Sequence, residues 1–454
     1  MKIKMIYPLA ISLLIMSFFI STINVEAASI SQYQNDASVI TTQKTSGPRP
    51  TKDPQKTPGP GKNSPDAKAQ PGPGTYTMDQ TLSDNAQLMT IAFDGLAFLT
   101  GDLGSDSFFP PGKVADFWGF QYLRDNDPSE MGHNTDFLTK ASLNMLSVLT
   151  SEQKAALVTL AKNQVASIND YGYRRFVLMM AFRRLLTGDI PAGTTGLSEE
   201  AVKAFSAELY SLDGKISYER AVVMGNILHT LTSDQKAVLD KMVGNGMKTW
   251  PDAQEPDDLR PLSRDEKIAV MTYAGDLFSW YAGSVEADVY FCPERHGTYF
   301  GSFYMKDAPA VGNPGYSIGT NITGDMGKAF IEALTPDQAK LITGLVDIQR
   351  TSLAGIVDVR QKVSTELRKF ITGNVADESV VSGLMEQYGQ LDGSLVYNYA
   401  VNFATVGRTM TDAQKATLMD LRHQTLGDFK PDGAFLFSES ISIPTVQNTD
   451  FLFK

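Results

Sequence analysis

From Met78 onward the apolar residues recur mostly at three- and four-residue steps. After Lys154, the residues Ala155, Leu157, Leu160, Ala161 and Val165 follow this spacing, with lysine and glutamine between them. That period places apolar side chains on one face of an α-helix. Tyr173 to Leu186, Tyr218 to Leu231, Ala339 to Val346 and Tyr397 to Val406 read the same way. Strand signals are sparse, the best being Gly297 to Tyr304 and Gly433 to Ile443. The pattern predicts a mainly α body with irregular, aromatic-rich loops near 105–135 and 285–322.

The same succession is written twice. Phe108 to Asp125 realigns without a gap on Tyr290 to Asp307, and Arg183-Arg184-Leu185-Leu186-Thr187-Gly188 returns as Arg368-Lys369-Phe370-Ile371-Thr372-Gly373. Leu212-Asp213-Gly214 with Tyr218 returns as Leu391-Asp392-Gly393 with Tyr397, and reads as a turn. A repeat of this length marks a duplicated domain rather than a short solenoid unit. Two helical modules are expected, 84–250 and 266–428, in tandem or pseudo-twofold relation and followed by a tail, 429–454.

Within each module one local grammar occurs twice: an apolar helix, then Leu/Met-Thr-x-x-Gln, then a second apolar helix. Thr150, Thr232, Thr335 and Thr411 stand where a helix N-cap would accept a bond from an orphan backbone N–H. Gln153, Gln235, Gln338 and Gln414, three residues on, are placed to reach back to the cap's own N–H and complete a capping box. The acidic Glu152, Asp234 and Asp337 add negative charge at the positive end of the helix dipole.

On these four motifs the chain resembles the Spy/CpxP family of exported proteins, whose hallmark is a paired LTxxQ motif in a small all-helical fold. The resemblance implies chaperone-like or envelope-stress-sensing activity without enzymatic chemistry, and protein or peptide clients. It does not extend to the aromatic loops or to the doubled layout.

Two other constellations carry candidate chemistry. Phe117, Trp118 and Tyr122 in the first copy, and Tyr299, Phe300 and Tyr304 in the second, surround Gly119 and Gly301. Aromatics this dense either stack on a flat ligand or peptide, or fill a seam between helices. In the second copy alone, Pro110, Gly112 and Val114 become Cys292, Glu294 and His296. Thiolate, carboxylate and imidazole this close suit a divalent transition metal, with His133 as a further ligand, or a nucleophile with its base. The same cysteine also reads as a small buried apolar residue. His229, matched by Arg408, reads as a solvated or helix-end cation. No phosphate-cradling glycine loop is present in the sequence.

Composition narrows the setting. Lys2 and Lys4, the apolar run Ile6 to Ile20 and the small residues around Val25-Glu26-Ala27 form a secretory signal over 1–27, or, if uncleaved, a membrane anchor. Residues 28–77 are expected to be a disordered tether, since Gly47 to Gly74 is rich in Pro, Gly and Lys and almost devoid of large apolar residues. One cysteine allows no internal disulfide, so the core must supply the stability. A net charge of −11 without a basic run argues against nucleic acid. The expectation is an exported, periplasmic, cell-surface or secreted binding protein without cofactor. A metal or redox protein centred on Cys292, and a surface scaffold, stand as alternatives.

Overall fold

The computed structural model describes residues 82–101, 136–243, 249–285, 309–310, 313–317, 325–426, 446 and 448–454. The described part is mainly α. In chain order the helices are α1 (Asp84–Thr100), α2 (Asp136–Val148), α3 (Ser151–Thr187), α4 (Glu199–Thr230), α5 (Ser233–Asp240), α6 (Arg264–Ala282), α7 (Asp325–Glu332), α8 (Pro336–Thr343), α9 (Leu345–Leu367), α10 (Glu378–Thr409) and α11 (Asp412–Leu426). Between α6 and α7 a short antiparallel pair forms from β1 (Pro309–Ala310) and β2 (Asn313–Ser317). The two strand segments expected from the sequence, the signal, the tether and most of the tail lie outside the described residues. No described helix is long and apolar enough to cross a membrane.

The helices of the second half follow those of the first in the same order. Long helices α4 and α10, each of 32 residues, match one another in length. The 37-residue α3 corresponds to α8 and α9, which a single helical residue, Gly344, separates. Helix α3 stops at a glycine in the left-handed region, Gly188 at φ 80°, and the 3₁₀ turn Arg368–Thr372 that continues α9 stops at another, Gly373 at φ 78°. That conformation costs glycine nothing and lets the helix end with its last carbonyls bonded.

Helices α4 and α10 form the centre of the fold and run antiparallel. A Cβ on Gly389 would lie 2.4 Å from the Ser206 carbonyl, and one on Gly393 would lie 2.7 Å from Lys203 Cα. The contacts repeat with the halves exchanged: Gly214 faces Met385, and its counterpart Gly393 faces Ser206, the counterpart of Met385. The Leu-Asp-Gly segments are therefore not turns. Asp-Gly is a turn signal in an isolated stretch, but here each lies inside a 32-residue helix, where the glycine lets two backbones approach.

The first helix of each half is seated mostly on the other half. Helix α1 packs on α7 and α11, with Gln349 donating to Gln87 at 2.9 Å and Arg422 donating to Thr100 at 3.0 Å. Helix α6 packs on α2 and α3, with Tyr273 donating to Gln164 at 2.7 Å. The segment before it ties to α2 through Asn144, which donates to the Pro251 carbonyl at 2.9 Å, and through the Lys140–Asp252 pair. The packing thus crosses the expected boundary between 250 and 266, and one apolar core runs through both halves.

Candidate functional site

All four LTxxQ segments form capping boxes. Gln153 N–H donates to the Thr150 hydroxyl at 3.2 Å while Thr150 N–H donates to the Gln153 side-chain oxygen at 2.9 Å. Thr232 with Gln235, Thr335 with Gln338, and Thr411 with Gln414 repeat this geometry. Leu149, Leu231 and Met410, one residue before the cap, are buried, and Pro336 takes the first helical position of α8, where its missing N–H costs nothing. Each box contributes about 1 kcal/mol.

The glutamines have a second role. In the first half the Gln235 amide donates to Gln153 Oε1 at 2.8 Å and to the Val148 carbonyl at 2.9 Å. In the second half Gln414 donates to Gln338 Oε1 at 2.7 Å and to the Ala333 carbonyl at 3.1 Å. Two helix starts far apart in sequence are thereby tied into one unit. The spacing of Thr and Gln within one motif predicts the box but not the bridge, which appears only when two motifs meet. A glutamate at the third position would complete a box, but it has no N–H with which to bridge.

A second polar group lies at the centre of the α4–α10 crossing. Arg175 and Asp392 approach to 3.8 Å with side chains 1 % and 0 % exposed, and Asp213 and Arg360 are also buried. Tyr210 and Tyr388 pack beside them in a tilted pair with ring centroids 4.5 Å apart. Burial, reinforced by the Asp392 charge, pushes the Tyr210 hydroxyl well above its ordinary value, so it stays a neutral donor. Sealed from solvent, this group can hold helices in register but cannot meet a substrate. Sequence reading passed over it, although Arg175 and Arg360 occupy matching positions in the two halves and so do the aspartates.

The two halves diverge at one acidic position. Asp276 on α6 accepts from Arg220 at 3.2 Å, and Arg220 lies over the Tyr273 ring at 4.7 Å. At the matching positions stand Asp94 and Tyr399. Tyr399 donates to Gln349, and Asp94 Oδ2 has no hydrogen-bond partner among the described residues. Burial raises the Asp94 carboxyl well above the ordinary carboxylate range. The folded state therefore keeps a proton that the unfolded chain releases near pH 4. Stability contributed this way is full below that pH and declines as pH rises toward the folded value. Asp94→Asn is expected to raise stability at neutral pH, with the gain closing as pH falls to about 4; each unit of separation is worth about 1.4 kcal/mol. Urea midpoints of both proteins between about pH 4 and 8 would show it, and parallel pH profiles would refute it.

In sequence the aromatic segments follow α1 and α6. The end of each of these helices carries an arginine over an aromatic ring: Arg183 lies 4.8 Å from the Phe98 ring centre, and its counterpart Arg368 lies 5.6 Å from that of Trp280. Such a contact is worth roughly 0.5–2 kcal/mol, more as it is desolvated. Arg368 also donates to the Trp280 carbonyl at 3.2 Å. Phe117, Trp118, Tyr122, Tyr299, Phe300 and Tyr304 themselves lie outside the described residues, as do Cys292, Glu294, His296 and His133. Among the described residues no group of three or more His, Cys, Asp or Glu side chains is placed to hold a metal ion.

His229 and Arg408 both lie in the last turn of their helix, as read from the sequence. Arg408 donates to the Leu185 carbonyl at 2.7 Å, near the end of α3. The His229 ring lies 3.1 Å from where a Gly373 Cβ would project, at the equivalent place in the other half. No family model, curated protein or solved structure matches the chain.

Proposed function

We propose that this chain is an exported, non-enzymatic helical binding protein, derived by duplication of an LTxxQ-containing helical module related to the Spy/CpxP family. Its clients are protein or peptide segments, engaged by the two aromatic segments. The observation that carries the reading is the equivalence of the two helix ends that precede the aromatic segments in sequence, with Arg183 on Phe98 in one and Arg368 on Trp280 in the other. Further support comes from the bridged capping boxes, which occur in both halves. Buried Arg175 and Asp392 are engaged in packing the frame. The N-terminal basic start and apolar run support export.

Light scattering of an unfolding client protein tests the proposal. The chain is expected to suppress aggregation near equimolar ratio, and Trp118→Ala combined with Phe300→Ala to reduce suppression several-fold without changing the melting midpoint. Absence of suppression together with stoichiometric zinc that a Cys292→Ser variant loses would overturn it in favour of a metal protein.

A further inference from the structure

The link between α3 and α4, residues 188–198, is longer than its counterpart 373–377 and has a partner that the counterpart lacks among the described residues. Residues 449–454 lie along it. Thr195 N–H donates to the Lys454 carbonyl at 2.6 Å, Ser198 N–H to the Leu452 carbonyl at 2.7 Å, and Lys454 N–H to the Gly196 carbonyl at 2.9 Å. Leu197 and Phe453 form an antiparallel bridge. The side chains of Leu452 and Phe453 are buried, while Phe451, half exposed, leans on the Phe205 ring at 5.7 Å. Arg184, at the end of α3, donates to the Thr449 hydroxyl at 2.8 Å and to Asp450 at 2.7 Å, and its guanidinium lies 5.1 Å from the Phe453 ring centre.

We propose that this link, with Arg184 and Phe205, is a peptide-docking groove that residues 449–454 occupy in cis. In trans it takes a short peptide with an acidic residue two places before a Leu-Phe pair. The recognition is of the strand-addition kind, in which main-chain bonds supply affinity and buried side chains supply selectivity. Three of the bonds are main chain to main chain and so tolerate many sequences. The selective elements are the two buried apolar anchors and the positive charge of Arg184 facing Asp450. The docked piece is small, and the Arg184–Asp450 pair is open to solvent at the Asp450 end, so the contact is of a size that can exchange. A tethered segment acts at an effective concentration on the order of millimolar, enough to hold such a groove closed against dilute competitors. The proposal stands apart from the reading of the aromatic segments, and its test does not involve them.

The probe is a fluorescein-labelled peptide of sequence Asn448 to Lys454, with anisotropy as the readout. The full chain carrying Leu452→Ser and Phe453→Ser is expected to bind it at least about tenfold more tightly than the wild-type chain, whose own segment competes. A peptide with both anchors replaced by serine should not bind either protein. Should the double variant lose helicity by circular dichroism, Asp450→Ala carries the test: it weakens only the cis segment, so affinity for the unaltered peptide should still rise a few-fold. A folded variant that binds the peptide no better than wild type overturns the proposal. So does a concentration-dependent dimer of the wild-type chain that the Leu452→Ser and Phe453→Ser changes abolish, because the groove would then exchange segments between copies rather than receive a client.

Discussion

Arg175→Ala is expected to lower unfolding stability by about 3–5 kcal/mol, the range for removing one member of a buried ion pair. The guanidinium is 1 % exposed and Asp392 is fully enclosed, 3.8 Å from it across the junction of α3 with α10. Deleting the cation leaves a carboxylate with no water to solvate it. The surrounding Tyr171, Tyr210 and Tyr388 are neutral hydroxyls and cannot replace a charge. The pair itself adds much less than its removal costs, because both ions were desolvated to form it. Arg175→Met together with Asp392→Leu is therefore expected to recover most of the loss, a coupling that a double-mutant cycle would quantify. Denaturant midpoints for the two singles and the double decide the matter. A single variant within about 1 kcal/mol of wild type would mean that Asp392 is held by something other than Arg175.

The helices and their starts were legible in the sequence because both rest on local chemistry. Apolar spacing after Lys154 identified the body of α3, and Thr and Gln three residues apart identified four helix starts without reference to anything distant. The glycine after Arg183-Arg184-Leu185-Leu186-Thr187 ends α3 through equally local chemistry. Leu-Asp-Gly was misread because its meaning is tertiary. The aspartate is buried against a partner helix, and the glycine admits that helix, so the local turn signal is overridden by packing that a single segment cannot express. The exchange of α1 and α6 between halves was equally out of reach, since two modules that pack separately and two that trade their first helices share one pattern. Of the candidate site, the legible part was chemical type: the aromatic doublets and the Cys292, Glu294 and His296 cluster were visible as residues. The contacts at the helix ends before them were not, because Arg183 over Phe98 and Arg368 over Trp280 join positions distant in sequence.

The central crossing gives the second large expected effect, and its sign reverses within one helix. Gly389→Ala is expected to destabilise by roughly 1–3 kcal/mol or more, the cost of overpacking a tight core. Its new Cβ would lie 2.4 Å from the Ser206 carbonyl oxygen and 2.7 Å from Ala207 Cα, both backbone atoms of α4. A flexible side chain would swing aside, but backbone moves only if the whole of α4 shifts, and α4 is also fixed at Gly225, where a Cβ would lie 2.3 Å from Phe370 Cβ. Gly383→Ala, two turns earlier in α10, meets nothing within 4 Å and faces solvent. There the same change removes unfolded-state freedom without a clash and should stabilise by up to about 1 kcal/mol. Helix propensity is identical at the two sites, so propensity alone predicts gains at both. Melting midpoints that move in opposite directions would isolate the approach of α4 and α10 as the deciding term. Equal shifts would show that the crossing relaxes freely, and that its glycines are not what holds the two halves together.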